Sequence, residues 1–163
     1  MARVLTSEAL RPAASEQISR LVRSISASLG EVQATWAGKL QLSVPQLNML
    51  LIISDADDKA GMSVKTVAEL LGVESTFVTA QSKTLVARGL LEKRSSRTDK
   101  RMIYLSLTPK ARKQLDDLTE TRNAFDASIK RAFGEIGTLR TIELLKDLDN
   151  CILRCRLRLQ LEE

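Results

Sequence analysis

The sequence predicts a mainly α-helical protein with one small β-hairpin, and three observations carry that prediction. Apolar residues recur at intervals of three and four in long segments towards both ends of the chain, which is the period of an amphipathic helix. Between Leu91 and Thr108 the interval falls to two around a polar, basic turn, as in a pair of strands. The 163 residues are 44% hydrophobic and 28% charged, which is the profile of a globular domain.

The first helix is predicted from about Ala14 to Leu40. Its apolar residues lie on one stripe: Ile18, Leu21, Val22, Ile25, Leu29, Val32, Trp36 and Leu40. At 1.5 Å per residue such a helix is roughly 35–40 Å long, which is more than a small domain needs. We therefore expect the stripe to pack on something outside its own domain.

Capping signals place the next two helices. Ser43, with Gln46 three residues later, forms a capping box for a helix that should end near Asp55. Ser63 caps a third, short helix, and Gly72 ends it because glycine readily adopts the left-handed conformation of a helix C-terminus.

A fourth helix, from about Ser75 to Arg88, completes a helix-turn-helix with the third. Ala68 allows a close crossing, Gly72 turns the chain, and Val78 locks the second helix onto the first. Taken alone, this pattern is equally consistent with an ordinary helical corner.

The hairpin that follows favours a winged helix-turn-helix. Its strands are predicted to start at Leu91 and Met102, and in this fold the fourth helix enters the DNA major groove while the hairpin tip reaches the minor groove. Ten basic and two acidic residues lie between Ser75 and Lys113, a net charge of +8 in a chain whose total is +5. A charge run is usually only a solvated face, but its concentration here favours contact with phosphates.

Two C-terminal helices are predicted. Thr108 caps the first, which runs to a break at Gly134–Gly137, and the last carries an apolar stripe. Cys151 and Cys155 lie one turn apart on or beside that stripe, which is typical of small buried residues in an interface. The alternative is a thiol-based redox switch, bridged between subunits because Cβ atoms one turn apart are about 5–6 Å from each other, too far for a disulfide.

The composition argues against an enzyme. The chain contains no histidine, which excludes histidine acid–base catalysis and histidine-ligated metal sites. We find no glycine-rich phosphate loop and no clear pair of carboxylates in apolar surroundings, so we expect no cofactor. Aromatic residues make up 3%, too few for a platform that stacks single-stranded nucleic acid. The sequence shows no signal peptide and no run of about 20 apolar residues, so we expect a cytoplasmic protein with no membrane partner.

From about Ser43 to Ala111 the sequence resembles the MarR family of bacterial winged helix-turn-helix transcription regulators. The matching stretches are TVAELLGV from Thr66, VT from Val78, LVARGLL from Leu85, and DKR from Asp99 followed by IYLSLTP from Ile103. Departures include Gln81, which stands where the family usually has an apolar packing residue, and Ala80, which stands where a long basic residue is common.

The resemblance implies an obligate homodimer. An N-terminal helix at residues 1–41 and C-terminal helices at 109–163 would form the dimerisation region, with a winged DNA-binding domain at 42–108 between them. Because a two-fold protein reads two-fold DNA, it implies a pseudo-palindromic operator in double-stranded DNA. It also implies that the protein is a repressor.

Helical spacing and the resemblance together give candidate DNA contacts. Ser75, Thr76, Thr79 and Lys83 share one face of the fourth helix, so we expect the hydroxyls at base edges or nearby phosphates and Lys83 at a phosphate. Alternatively, Ser75 only caps the helix.

The wing supplies further candidates. By resemblance Arg101 enters the minor groove and Asp99 orients it, with Arg97 and Lys100 on the DNA backbone. The alternative for Asp99 and Arg101 is a surface salt bridge of little energetic value.

A small amphipathic or aromatic effector is the third partner that the resemblance implies. It would bind between the dimer helices and the winged domain, where Trp36, Met49 and Phe125 are candidate lining residues, although each is more typical of a core. The competing function is a winged-helix protein-interaction module with no DNA target.

Overall fold

The computed structural model describes residues 11–56, 61–96, 99 and 102–161. Its contacts divide the chain after Asp116 into two compact units. In chain order the elements are α1 (Arg11–Lys39), α2 (Val44–Asp55), β1 (Met62–Ser63), α3 (Val64–Leu71), α4 (Ser75–Ala87), β2 (Leu91–Ser95), β3 (Ile103–Leu107), α5 (Pro109–Asp116) and α6 (Thr119–Leu161). The mainly helical fold with a small hairpin is therefore confirmed.

The predicted caps are present. The Ser43 hydroxyl accepts the Gln46 amide at 3.4 Å and the Gln46 side chain accepts the Ser43 amide at 3.2 Å, which completes the capping box of α2. Ser63 caps α3 by accepting the Thr66 amide at 3.0 Å. Gly72, at φ 65°, ends α3 in the left-handed conformation. Helices α3 and α4, which follow one another across Gly72, are in contact as the predicted helix-turn-helix requires.

The sheet has one more strand than the predicted hairpin. Strand β1 pairs antiparallel with β3, so that the order is β1-β3-β2. Met62 lies opposite Leu105, and Ser63 opposite Tyr104. A strand of two residues is too short to show an alternating pattern, which is why the sequence did not reveal it.

The core of the first unit lies between the helix-turn-helix and the sheet. Ala68 and Val78 are both buried, as their predicted packing roles require. The alternation of β3 places Leu105 and Leu107 in the same core. The most deeply buried large side chains of this unit are Leu47, Met49, Leu50, Val67, Val78, Leu85, Leu90 and Leu105.

One predicted helix was wrong in extent. The helix that Thr108 opens ends at Asp116, and α6 begins at Thr119, instead of one helix continuing to Gly134. Carboxylates at Asp116 and Asp117 oppose the negative end of the helix dipole, whereas Glu120 lies in the first turn of α6, where the dipole favours it. The predicted break is confirmed at Gly134, whose φ of 70° and ψ of 173° are not helical.

The long helices leave apolar side chains exposed. In α1 these are Ile18, Leu21, Val22, Ile25 and Leu29, which form most of the predicted stripe. None of the α6 residues that the structure describes is fully buried, and Ile136 is 83% exposed. Of the helices in the described ranges, none combines the length and apolarity needed to span a membrane.

We predict that Gly61→Ala destabilises the first unit. The glycine has φ +80°, and a Cβ there would lie 2.6 Å from the Leu105 carbonyl oxygen on β3. The expected loss of unfolding free energy is about 2 kcal/mol or more, measured by chemical denaturation. Gly30→Ala is the matched control, because within the described structure its Cβ would meet open space. Equal effects of the two changes would contradict the prediction.

Candidate nucleic-acid interface

Helix α4 has one buried and one exposed face. Val78, Ser82 and Leu85 are completely buried, and they recur at the spacing of one helical face. The predicted contact residues lie away from them: Ser75, Thr76 and Lys83 are exposed, and Thr79 is half-buried. Thr76 and Lys83 are therefore on the outward side of the helix, and Ser75 is exposed as its first residue, while the roles of all four in DNA contact stay predictions.

Ser75 does not cap α4. The N-cap is Glu74, and in the described structure its side chain makes no capping hydrogen bond. Ser75 is the first helical residue, so the interpretation that it serves only as a cap was wrong. An uncapped first turn leaves backbone N–H groups directed at solvent, where a phosphate oxygen can accept them.

The hydroxyl hydrogen of Thr79 is already used in a hydrogen bond within α4. It donates to the Ser75 carbonyl at 2.9 Å, one turn earlier. What it presents outward is its lone pairs and its methyl group. Such a side chain matches the amino groups of adenine or cytosine, or the thymine methyl, in the major groove.

Ser75 and Thr79 line a cleft beside the wing, by which we mean β2, β3 and the turn between them. The cleft has a volume of about 500 Å³, and its other walls include Ser63 and Lys65 at the start of α3 and Met102 before β3. Lys65 is an exposed cation that the sequence reasoning missed. Lys65 lies in the first turn of α3, the helix that precedes α4, and this position is the signal from which the sequence could have revealed it.

The turn of the wing is held by backbone bonds. Met102 donates its amide to the Asp99 carbonyl at 2.9 Å, and the Ser96 amide donates to the Met102 carbonyl at 2.9 Å. The Asp99 amide donates to the Ser96 hydroxyl at 3.2 Å, and Asp99 is exposed. Three predicted contacts lie outside the described residues: Arg97, Lys100 and Arg101.

The β2 side of the wing is polar and exposed. Arg94 lies 3.4 Å from the Glu92 carboxylate, and both side chains are mostly in solvent, so their attraction is weak. Lys93 is exposed as well. The described part of the wing therefore presents two cations, Lys93 and Arg94, and two carboxylates, Glu92 and Asp99.

The three candidate effector residues differ in burial. Met49 is completely buried in the core of the first unit. Trp36 on α1 and Phe125 on α6 are half-buried. Their role in an effector site stays a prediction.

Comparison with known proteins identifies the winged segment. Residues 40–102 match the model of the MarR family. The match covers the elements from α2 to β2 and so includes the helix-turn-helix. No curated protein sequence matches the chain significantly.

Solved structures show the same fold over most of the chain. A MarR protein from Peptoclostridium difficile has a TM-score of 0.71 at 19% identity, covering 93% of this chain and 92% of its own. A Staphylococcus aureus MepR–DNA complex gives 0.70 at 16%, covering 82% and 96%. A MarR regulator from Methanosarcina mazei gives 0.71 at 14%, covering 86% and 99%. The predicted winged helix-turn-helix fold is thereby confirmed.

We predict that Thr79→Ala relaxes sequence preference more than it weakens binding. The change removes a base-edge contact, which is worth about 1–3 kcal/mol of discrimination at one base pair. Affinities for duplexes with single base-pair changes measure it. Thr84→Ala is the control, because Thr84 is exposed on another side of the same helix. The role of Thr79 is refuted if both variants keep the wild-type preference.

Proposed function

We propose that this protein is a sequence-specific transcription regulator that binds double-stranded DNA as a homodimer. The observation that carries the proposal is the outward polar face of α4 beside a basic wing. Ser75 and Thr79 on that face border the cleft next to the wing, where groove edges and phosphates would meet them. The S. aureus MepR structure, which has the same fold, is a complex with DNA.

Charge supports the same surface. The segment from Ser75 to Lys113 carries +8, so the rest of the chain carries −3. Apart from the half-buried Arg88, its described cations, including Lys83, Lys93 and Arg94, are exposed. A surface of this charge attracts a phosphate backbone over several ångströms and releases counterions on binding.

The exposed apolar stripe supports the homodimer. Leu21 is 55% exposed and Ile25 50% exposed in the single chain. Burying a side chain of this size contributes about 1.5–3 kcal/mol, so a row of them favours a partner surface. A second copy offers the same row in a two-fold interface, which fits a pseudo-palindromic operator.

The proposal extends to regulation. A small amphipathic or aromatic effector that prefers the spacing unsuited to DNA would release a repressor from its operator. The redox alternative is a second hypothesis, because the thiols of Cys151 and Cys155 are free and exposed, as attack by an oxidant requires.

We predict salt-dependent binding to duplex DNA. Fragments selected from a random duplex library should bind the protein, and the affinity should fall by roughly 10³-fold or more between 50 and 200 mM salt if six or more phosphates are contacted. Gel shifts at the two salt concentrations measure this. The interaction-module alternative is favoured instead if no duplex binds in a salt-dependent manner.

We predict that Leu21→Asp dissociates the homodimer. A carboxylate in the middle of the stripe has to be desolvated in the interface, whereas in the single chain this position faces solvent. Sedimentation equilibrium gives the mass, and circular dichroism confirms that the helices persist. Ala27→Asp is the control, since it places the same charge on the opposite side of α1. A dimer that survives Leu21→Asp would exclude the stripe as the interface.

A further inference from the structure

The C-terminus of α1 ends in a Schellman motif without glycine. The Gln41 amide donates to the Gly38 carbonyl at 3.1 Å, and the Leu42 amide donates to the Ala37 carbonyl at 2.9 Å. Gln41 adopts the left-handed conformation, with φ 55°, that this motif usually gives to glycine. The motif uses two of the carbonyls at the end of the helix and leaves those of Leu40 and Gln41 to other donors.

Arg88 supplies both donors. Its Nη1 donates to the Gln41 carbonyl at 2.7 Å, and its Nη2 donates to the Leu40 carbonyl at 3.3 Å. The positive guanidinium therefore lies at the negative end of the α1 dipole. Arg88 is the C-cap residue of the recognition helix α4, 47 residues away in sequence. One side chain thus joins the end of α4 to the end of α1.

The backbone of Arg88 is fixed as well. Its amide donates to the Thr84 carbonyl at 3.1 Å, and its carbonyl accepts the Lys110 ammonium at 2.9 Å. The next carbonyl, that of Gly89, accepts the Thr108 hydroxyl at 2.8 Å. Both the backbone and the guanidinium of Arg88 are therefore hydrogen-bonded. A displacement of the α1 terminus would move Arg88 and, with it, the end of α4.

A second polar bond holds the middle of α4. The Gln46 Nε2 donates to Oε1 of the Gln81 side chain at 3.1 Å, while the Gln46 Oε1 belongs to the α2 capping box. Gln81 occupies the position where an apolar residue was expected from the resemblance. Helix α4 is thus bonded at its middle to the first turn of α2 and at its end to the C-terminus of α1.

We propose that Arg88 is a positioning residue that fixes the recognition helix relative to α1. The inference rests on the proposed DNA-binding function and adds a route by which a movement of α1 changes that function. The rival role for an arginine in this basic segment is direct contact with a phosphate. Its half-buried guanidinium already bonds two carbonyls, which argues against the rival role.

Arg88→Lys and Arg88→Met test the proposal, with Arg140→Met as a control of equal charge change on α6. Lysine keeps the charge but offers a single nitrogen, which cannot reproduce the two-carbonyl fork. The readouts are affinity for a selected operator, affinity for non-specific duplex, the salt dependence of each, and the fluorescence of Trp36. That residue is the single tryptophan of the chain and lies one turn before the cap on α1.

Positioning predicts that both Arg88 variants lose about tenfold or more in operator affinity. Non-specific affinity and the salt slope should stay close to wild type, and the Trp36 emission maximum should shift. Arg140→Met should leave that emission unchanged. General unfolding would lower operator and non-specific affinity together, so the difference between them separates positioning from a loss of structure.

Three results would overturn the proposal. The first is wild-type operator affinity in both Arg88 variants. The second is a salt slope reduced by about 0.9 per contact in Arg88→Met and restored in Arg88→Lys, which is the signature of a phosphate contact. The third is an unchanged Trp36 emission. If the wild-type protein binds no duplex, the proposed function fails, and the fluorescence alone decides whether Arg88 fixes the α1 terminus.

Discussion

The candidate DNA contacts on α4 depend on the burial of one face of that helix. Val78, Ser82 and Leu85 are completely buried, and because successive helical residues turn by about 100°, their burial directs Thr76 and Lys83 outward. The polar member of this face fits because the Ser82 hydroxyl donates to the Thr79 carbonyl at 2.9 Å. A hydroxyl without such an acceptor would make this core less stable.

Local signals made most of the fold predictable. A capping box at Ser43, a cap at Ser63 and the left-handed Gly72 each act within four residues, so the sequence reveals them directly. The two-residue strand β1 and the bond from Arg88 to Gln41 depend on partners about 40 residues or more away. No periodicity marks such a partner, because it exists only once the chain has folded.

In the candidate site, too, local spacing could be read from the sequence and contacts between distant residues could not. Spacing alone placed the outward residues of α4 on one face, since a helix has a single period. The alternative role of Ser75 as a cap was wrong, because the cap position is Glu74, one residue earlier. The resemblance identified Gln81 only as a departure from the family pattern. It did not reveal the hydrogen bond to Gln46, because that partner belongs to another helix.

In the proposed regulator, helix α1 would connect dimer assembly to DNA binding, because one helix carries both the apolar stripe and the C-terminus that Arg88 binds. Its apolar stripe, around Leu21 and Ile25, is exposed in the single chain, while its C-terminus carries the carbonyls that Arg88 binds. A continuous helix is stiff over this length, so whatever covers the stripe also orients the terminus. The recognition helix takes its position from that terminus. A partner or effector that tilts α1 therefore need not touch α4 to change how it meets the groove, provided it favours one tilt over another.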